Sequence, residues 1–368
     1  MFKNNGLDPQ TAYIKTAPMQ YINKIGILKE SGKYISRWGK RALISGGNKA
    51  LNAIGSQLCK SLDENGIKWD KHIFIGECCN ENIEIIIKKA RDMKADIIIG
   101  VGGGKALDSA KAAAEECGIS LVCIPTIAAT CAAASGISVV YYKSGEFEKD
   151  IYLTRTADLV LVDPVTITNA PVEYLQSGIL DSISKWYEGN AAIKSLKTPD
   201  VFTLTSVYTA RLLNEIMENE AIDAIEQVKE KKVNDTLLHI IDLNIYLAGV
   251  AQGMGQVSTR GAAAHSIHGG LSVLEESHKI LHGFKVGYGI IVQLFMEKAP
   301  LKDILKVVAF FRKLNLEPSL KGLKLPGDKD TMLAVAKKSV MDPIMKRMPF
   351  YVDADVVVKA MEEVEENV

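Results

Sequence analysis

Net charge is the first thing missing. Lys+Arg and Asp+Glu balance at 44 each over 368 residues, and no stripe of clustered Lys and Arg stands out. A chain without excess positive charge or a basic face lacks the electrostatic footprint of a nucleic-acid binder. An apolar leader is missing too: MFKNNGLDPQ has no h-region, so no secretory signal is visible. Cysteine is scarce and has no framework spacing. Cys59, Cys78, Cys79, Cys117, Cys123 and Cys131 are the full set, and they read as reduced, mostly buried thiols of a cytoplasmic protein. No internal repeat or low-complexity tract stands out. One stretch, Leu121 to Tyr142, lacks charge altogether and is long enough to cross a bilayer. Pro125 and Gly136 interrupt it, and Thr, Ser and Ala stand where a membrane helix would carry Leu and Ile. It reads instead as a buried strand, a small-residue loop around Cys131, and a second strand.

What is present is ordinary for a soluble globular chain, 47% hydrophobic and 24% charged, and the length suits two domains. Apolar runs at 41–45, 72–75, 95–100 and 120–124 alternate with segments of helical periodicity. That pattern predicts βαβ units and a parallel sheet covered on both faces. Residues 137–142, 149–154 and 159–162 read as a hairpin and a final strand completing the sheet. After Asp163-Pro164 every periodic segment is helical: 172–193, 200–217, 237–253, 283–296, 302–314 and 353–366. The expected organisation is therefore an α/β domain over 1–163 and an all-helical domain over 164–368.

Gly100-Val-Gly-Gly-Gly-Lys-Ala-Leu-Asp108 follows the third strand and opens a helix. Backbone N–H groups at such a start, with no side chains in the way, form an anion cradle. The G-x-G-x-x-G fingerprint fails at Lys105, and the Walker A pattern fails at Ala106. A plain tight turn rarely needs three consecutive glycines, so a phosphate site is the better reading.

Four of the six histidines, His265, His268, His278 and His282, crowd into one short segment. Each alone is an ordinary core histidine. Together they point to a metal or acid–base site, which one carboxylate would complete as a two-His, one-carboxylate set. Asp181 sits on an apolar helix face, where a buried acid is costly unless paired or ligating. Spacing does not choose it over Asp163 or Glu188.

The segments GVGGGKALDSAK, IPTIAAT, GILDSISKWYE, AAAHSIHGGL and HGFKVGYG resemble, in order and spacing, the metal-dependent (iron-containing) alcohol dehydrogenase superfamily, glycerol-dehydrogenase-like branch. The resemblance spans residues 15–366. It implies a dehydroquinate-synthase-like architecture, with a nucleotide-binding α/β domain, a helical domain, and the active site in the cleft between them. Asp181, His265 and His282 match the metal ligands, with Zn or Fe as the ion. His268 and His278 match histidines lining the site, and either is a candidate proton shuttle. Gly102, Gly103, Gly104, Lys105 and Asp108 match the pyrophosphate loop. Thr126, Ala129, Ser135, Ile137 and Tyr141 match positions around the nicotinamide half. The implied reaction is hydride transfer with NAD(P)(H), without a side-chain nucleophile, in a protein expected to be a homo-oligomer acting on a small molecule.

Two departures stand out. Family members that use NAD carry an acid at about Gly47 to bind the adenosine ribose; its absence, with Lys49 nearby, slightly favours NADP. Where glycerol dehydrogenases read STDAP, with the Asp binding a substrate hydroxyl, this chain reads ATCAA, placing Cys131 at the substrate. That version resembles a branch that reduces 2-oxo acids to 2-hydroxy acids, so this pair is the expected substrate class. A glycerol or related polyol dehydrogenase is the alternative. A sugar-phosphate cyclase of the lyase class would need more Lys and Arg than Lys185 and Lys285 supply, and a catalytically silent nucleotide binder would not need an intact ligand set.

Overall fold

The structure, a computed structural model, describes residues 14–368, so the N-terminal ten residues read above for a signal lie outside it. Two compact units form, Met1–Val172 with Ala224–Gly253, and Glu173–Asp223 with Met254–Val368. This division differs from the single boundary expected at 163. The first unit extends to 172 and takes in a segment of the second half.

The first unit is built on a six-stranded, wholly parallel sheet. Its strands are β1 (Gln20–Asn23), β2 (Arg41–Gly47), β3 (Lys68–Phe74), β4 (Ile97–Gly102), β5 (Ser120–Pro125) and β8 (Leu159–Val162). Their spatial order is β1-β8-β5-β4-β2-β3. All of β4 and β8 is buried, as parallel strands covered on both faces require. Helices 48–64, 80–92 and 104–117 connect the strands, and Leu51, Ile54, Leu58 and Leu62 pack with Ile44, Ile97 and Ile99 into the core. From β2 the chain steps outward to β3; from β4 it steps the other way to β5. The connections thus leave in opposite directions at the adjacent carboxyl ends of β2 and β4, the place where open α/β sheets bind ligands. Gly47 and Gly102 stand there.

Three details differ from expectation. The strand β1 was not foreseen, since QYIN is half-exposed along its length. The second strand begins at Lys68 rather than His72. The hairpin, β6 (Ile137–Tyr141) and β7 (Phe147–Tyr152), forms its own antiparallel pair, while β8 alone joins the main sheet between β1 and β5. The uncharged stretch is strand, loop and strand, as read. One helix, Asp235–Gln256, is long and apolar enough to cross a membrane; its Leu237, Ile240, Ile241, Ile245 and Ala248 are fully buried in the protein.

The second unit contains no strand among the described residues. Its helices include Val172–Ile193, Ala263–Leu271, His282–Met296, Leu301–Lys313, Lys329–Val340 and Ala354–Asn367. Close approaches seat them. A methyl group at Gly283 would run into the Ser177 carbonyl, and one at Gly289 into that of Ala264.

Candidate metal centre and dinucleotide cradle

The helix Val172–Ile193 presents Asp181 and Glu188 two turns apart, hence on one face. Both are buried, Glu188 completely. The imidazole of His265 lies between them. Its Nδ1 is 2.6 Å from Glu188 Oε2 and its Nε2 is 3.5 Å from Asp181 Oδ1. Glu188 Oε1 also accepts the backbone N–H groups of Ala262 and His265, at 2.7 and 2.8 Å. It thereby caps helix Ala263–Leu271, whose Ala262 offers no capping side chain. One carboxylate fixes both the helix start and the tautomer of the histidine it carries. His282, the first residue of the next helix, places Nε2 3.2 Å from Asp181 Oδ1, and its Nδ1 lies 3.1 Å from His268 Nε2.

Asp181, His265 and His282 offer one ligand atom each, all within 4.8 Å of one another. Two imidazole nitrogens and a carboxylate oxygen suit Zn²⁺ or Fe²⁺ and leave coordination positions open. The electrostatics favour a positive charge at this point, carried by a ring proton or by a metal ion that displaces it. Burial opposes the charge on Asp181, but Lys185 and the hydrogen bonds from His265 and His282 outweigh it and hold the carboxyl well below its ordinary range. Burial likewise disfavours a charged His265, yet Glu188 and Asp181 push it up to about 9. Burial, then the charges of His282, Lys285 and His265, hold His268 well below the usual histidine range.

His268 is therefore placed to accept the Nδ1 proton of His282 and fix that ring. His278 is exposed, bonds the Ser272 carbonyl at 3.0 Å, and stands outside the cluster.

In the first unit, Gly102 has φ +138, a backbone shape that favours glycine, and Gly103 caps helix Gly104–Cys117 in an extended conformation. A Cβ on Gly103 would come within 2.7 Å of Ile127 Cδ1. The helix start at the switch point is thus bare of side chains, the geometry that an anion cradle requires. Lys105 is beside it but paired with Glu77, a carboxylate that sequence reading passed over. Gly47 is extended, at φ −65 and ψ 149, and nothing lies within 4 Å of where its Cβ would be. The Thr126 N–H bonds the Gly102 carbonyl at 3.1 Å, which ties the small-residue loop to the cradle. Ala129 is half-buried in that loop, and Ile137 and Tyr141 lie on β6.

Two of the expected cofactor residues face elsewhere. The Asp108 carboxylate is buried, 2.8 Å from Lys111 Nζ and 3.2 Å from the Val139 N–H, so it is not offered to a pyrophosphate, which it would repel. The Ser135 hydroxyl is taken by Lys111 at 3.0 Å. The loop is also held from the far side. Asn244 donates to the Ala128 carbonyl at 3.0 Å, and the Cys131 thiol donates to Gln252 Oε1 at 3.4 Å. A Cβ on Gly249 would come to 3.0 Å from that of Ala134. Small residues in this loop thus admit the backbone of helix Ala248–Thr259. Neither Asn244 nor Gln252 carries a local sequence signal, because both act across more than a hundred residues.

Comparison with known proteins bears on the family and the fold. The family model for iron-containing alcohol dehydrogenases matches residues 18–164. A glycerol dehydrogenase of Thermotoga maritima is 34% identical over 88% of this chain and 88% of its own length. Hydroxycarboxylate dehydrogenase A of Escherichia coli is 36% identical over 69% of each chain. The crystal structure of a probable glycerol dehydrogenase from Sinorhizobium meliloti superposes with a TM-score of 0.87 at 30% identity, covering 96% of this chain and 98% of that one. The chain belongs to the iron-containing alcohol dehydrogenase family of metal-dependent oxidoreductases, in its glycerol-dehydrogenase-like branch.

Proposed function

We propose that the protein interconverts a small polyol and its carbonyl by hydride transfer with NAD(P)(H), with Asp181, His265 and His282 holding a divalent Zn or Fe ion. The observation that carries this is the three-residue cluster with both ring tautomers fixed by neighbours. Such an ion supplies Lewis acidity, which lowers the pKa of a hydroxyl in oxidation and polarises a carbonyl in reduction. The protein's own part is positional. Glu188 and His268 aim the imidazoles, and the glycine cradle with Lys105 takes the dinucleotide phosphates. NADP is the preferred dinucleotide, because no carboxylate stands at Gly47 and Lys49 is exposed nearby.

The polyol reading follows relatives named for glycerol that match nearly the whole chain. A 2-oxo acid/2-hydroxy acid pair is the second reading, and two observations favour it. Cys131 puts an uncharged thiol where the polyol enzymes carry an acid, and the buried Lys185 ammonium stands 3.5 Å from Asp181 Oδ2. The cytoplasm as location, and a homo-oligomer in solution, complete the reading; light scattering checks the latter.

The experiment is a panel: glycerol, glycolaldehyde, lactate and 2-oxobutanoate, each with NAD(H) and NADP(H), on metal-loaded and chelated enzyme. No turnover of any member, or full turnover after chelation, overturns the proposal. Cys131→Asp and Cys131→Ser decide between the two readings. An added carboxylate would repel an anionic substrate by a few kcal/mol at about 4 Å and an effective dielectric of about 20. On the 2-oxo acid reading Cys131→Asp therefore shifts kcat/KM towards glycerol by roughly a hundredfold, while Cys131→Ser keeps most 2-oxo acid activity. A wild type that strongly prefers glycerol leaves the polyol reading standing alone.

A further inference from the structure

Lys111 sits one turn after Asp108 on helix Gly104–Cys117, and its side chain is 0% exposed. A buried ammonium is strongly unfavourable unless compensated. Here the compensation comes from one segment. Nζ donates to the Ala132 carbonyl at 2.7 Å, to Ser135 Oγ at 3.0 Å, to the Ser135 carbonyl at 3.3 Å, and to the Ile137 carbonyl. Asp108 supplies the counter-charge, and its Oδ2 accepts the Val139 N–H. Ser138 Oγ donates to the Asp108 carbonyl at 2.9 Å. One helix turn thus grips the backbone from 132 to 139. Three carbonyl dipoles point inward at a single cation; without it they would face one another and repel.

The same helix begins at the glycine cradle. Its first turn is where the phosphates would lie, and its third turn sets the loop that carries Cys131, Ser135 and Ile137. We propose that Lys111 is a positioning residue for hydride transfer. Its ammonium sets the loop that receives the nicotinamide end of the dinucleotide and keeps it in register with the phosphate cradle. The inference rests on the dinucleotide reading above and adds a residue to it. Lys111 acts through the loop backbone, not on the reacting atoms.

The test separates the two ends of the cofactor. Lys111→Met removes the charge and keeps the length; Lys111→Arg restores a charge. Binding of 2′-phospho-ADP-ribose, which lacks nicotinamide, is measured beside NADPH binding and steady-state turnover. Lys111→Met is expected to hold 2′-phospho-ADP-ribose as wild type does. It should bind NADPH more weakly and lose kcat by roughly a hundredfold, the size of a misplacement of about 1 Å, with little change in substrate KM. Lys111→Arg should recover part of the loss. Wild-type kcat and NADPH binding in Lys111→Met would overturn the proposal. Equal losses for both ligands would do so too, because they would mark a general structural defect. If Lys111→Met does not fold, Ser135→Ala decides. It removes one acceptor and should weaken NADPH but not 2′-phospho-ADP-ribose, and no difference between the two ligands would overturn the proposal. Wild type that binds neither of these, nor ADP-ribose and NADH in a parallel titration, would instead refute the dinucleotide reading itself.

Discussion

Gly47 can be changed without strain, since its backbone is extended and its missing Cβ would meet nothing within 4 Å. Gly47→Asp would set a carboxylate against a 2′-phosphate at a cost of a few kcal/mol at about 4 Å and an effective dielectric of about 20. It should weaken NADP(H) far more than NAD(H) by direct titration; equal effects would show that the position does not meet the ribose. A second residue prediction concerns His265. Glu188 and Asp181, against the effect of burial, push its pKa up to about 9. A raised pKa means that the charged ring is the favoured form below that value, whereas a ligating imidazole must be neutral. Metal uptake must therefore release a proton, and apparent metal affinity should climb roughly tenfold per pH unit from 7 to 9 before flattening. Isothermal titration in buffers of different ionisation heat reads that proton directly. An affinity flat across this range would remove His265 from the ligand set.

At the scale of elements, the proposed metal centre depends on how closely two helices approach. Gly283, next to His282, lets helix His282–Met296 sit against the backbone of Ser177, one turn before Asp181. Gly283→Ala should push the helices apart, cost about 1–3 kcal/mol, and draw His282 Nε2 away from Asp181. Bound metal, measured by atomic absorption, should fall by at least roughly tenfold while the far-UV spectrum stays native. Retention of stoichiometric metal would show that the contact has slack. The helix Val172–Ile193 was legible to the residue because its apolar positions recur at the helical period. The buried strands β4 and β5 were legible as unbroken apolar runs. β1 was not, since a half-exposed edge carries no such run. Segment 237–253 was legible as helical, but not the change of winding at Leu243–Leu247, the stretch from which Asn244 donates to the Ala128 carbonyl. The residue types of the metal centre were plain in the histidine cluster. The resemblance picked out Asp181, but Glu188's work as cap and tautomer lock exists only once Ala262 and His265 are folded beside it. Lys111 was hidden for the same reason: in an alanine-rich helix nothing in the sequence marks a lysine as internal.

On the scale of the whole molecule, the proposed metal ligands belong to the second unit and the proposed dinucleotide cradle to the first. Chelation should raise hydrogen exchange at 262–271 and 282–285, whose amides are organised around the cluster, and leave β4 and β8 unchanged. Exchange measured by mass spectrometry with and without EDTA checks this, and uniform loosening would show that the metal supports the entire fold. The return of Ala224–Gly253 to the first unit has a further consequence for anyone cutting or shuffling this chain. The polypeptide passes between units at 172/173, 223/224 and 253/254, so neither unit is a contiguous cassette. A fragment ended at 163 would keep every strand of the sheet yet lack Asn244, Gly249 and Gln252. The Ala128 carbonyl would then have no donor, and Ala134 would lose its cover. A chimera that exchanges only the front half between family members would graft its loop onto a foreign 224–253 segment. The workable unit of recombination is thus the discontinuous pair, 1–172 with 224–253, moved together.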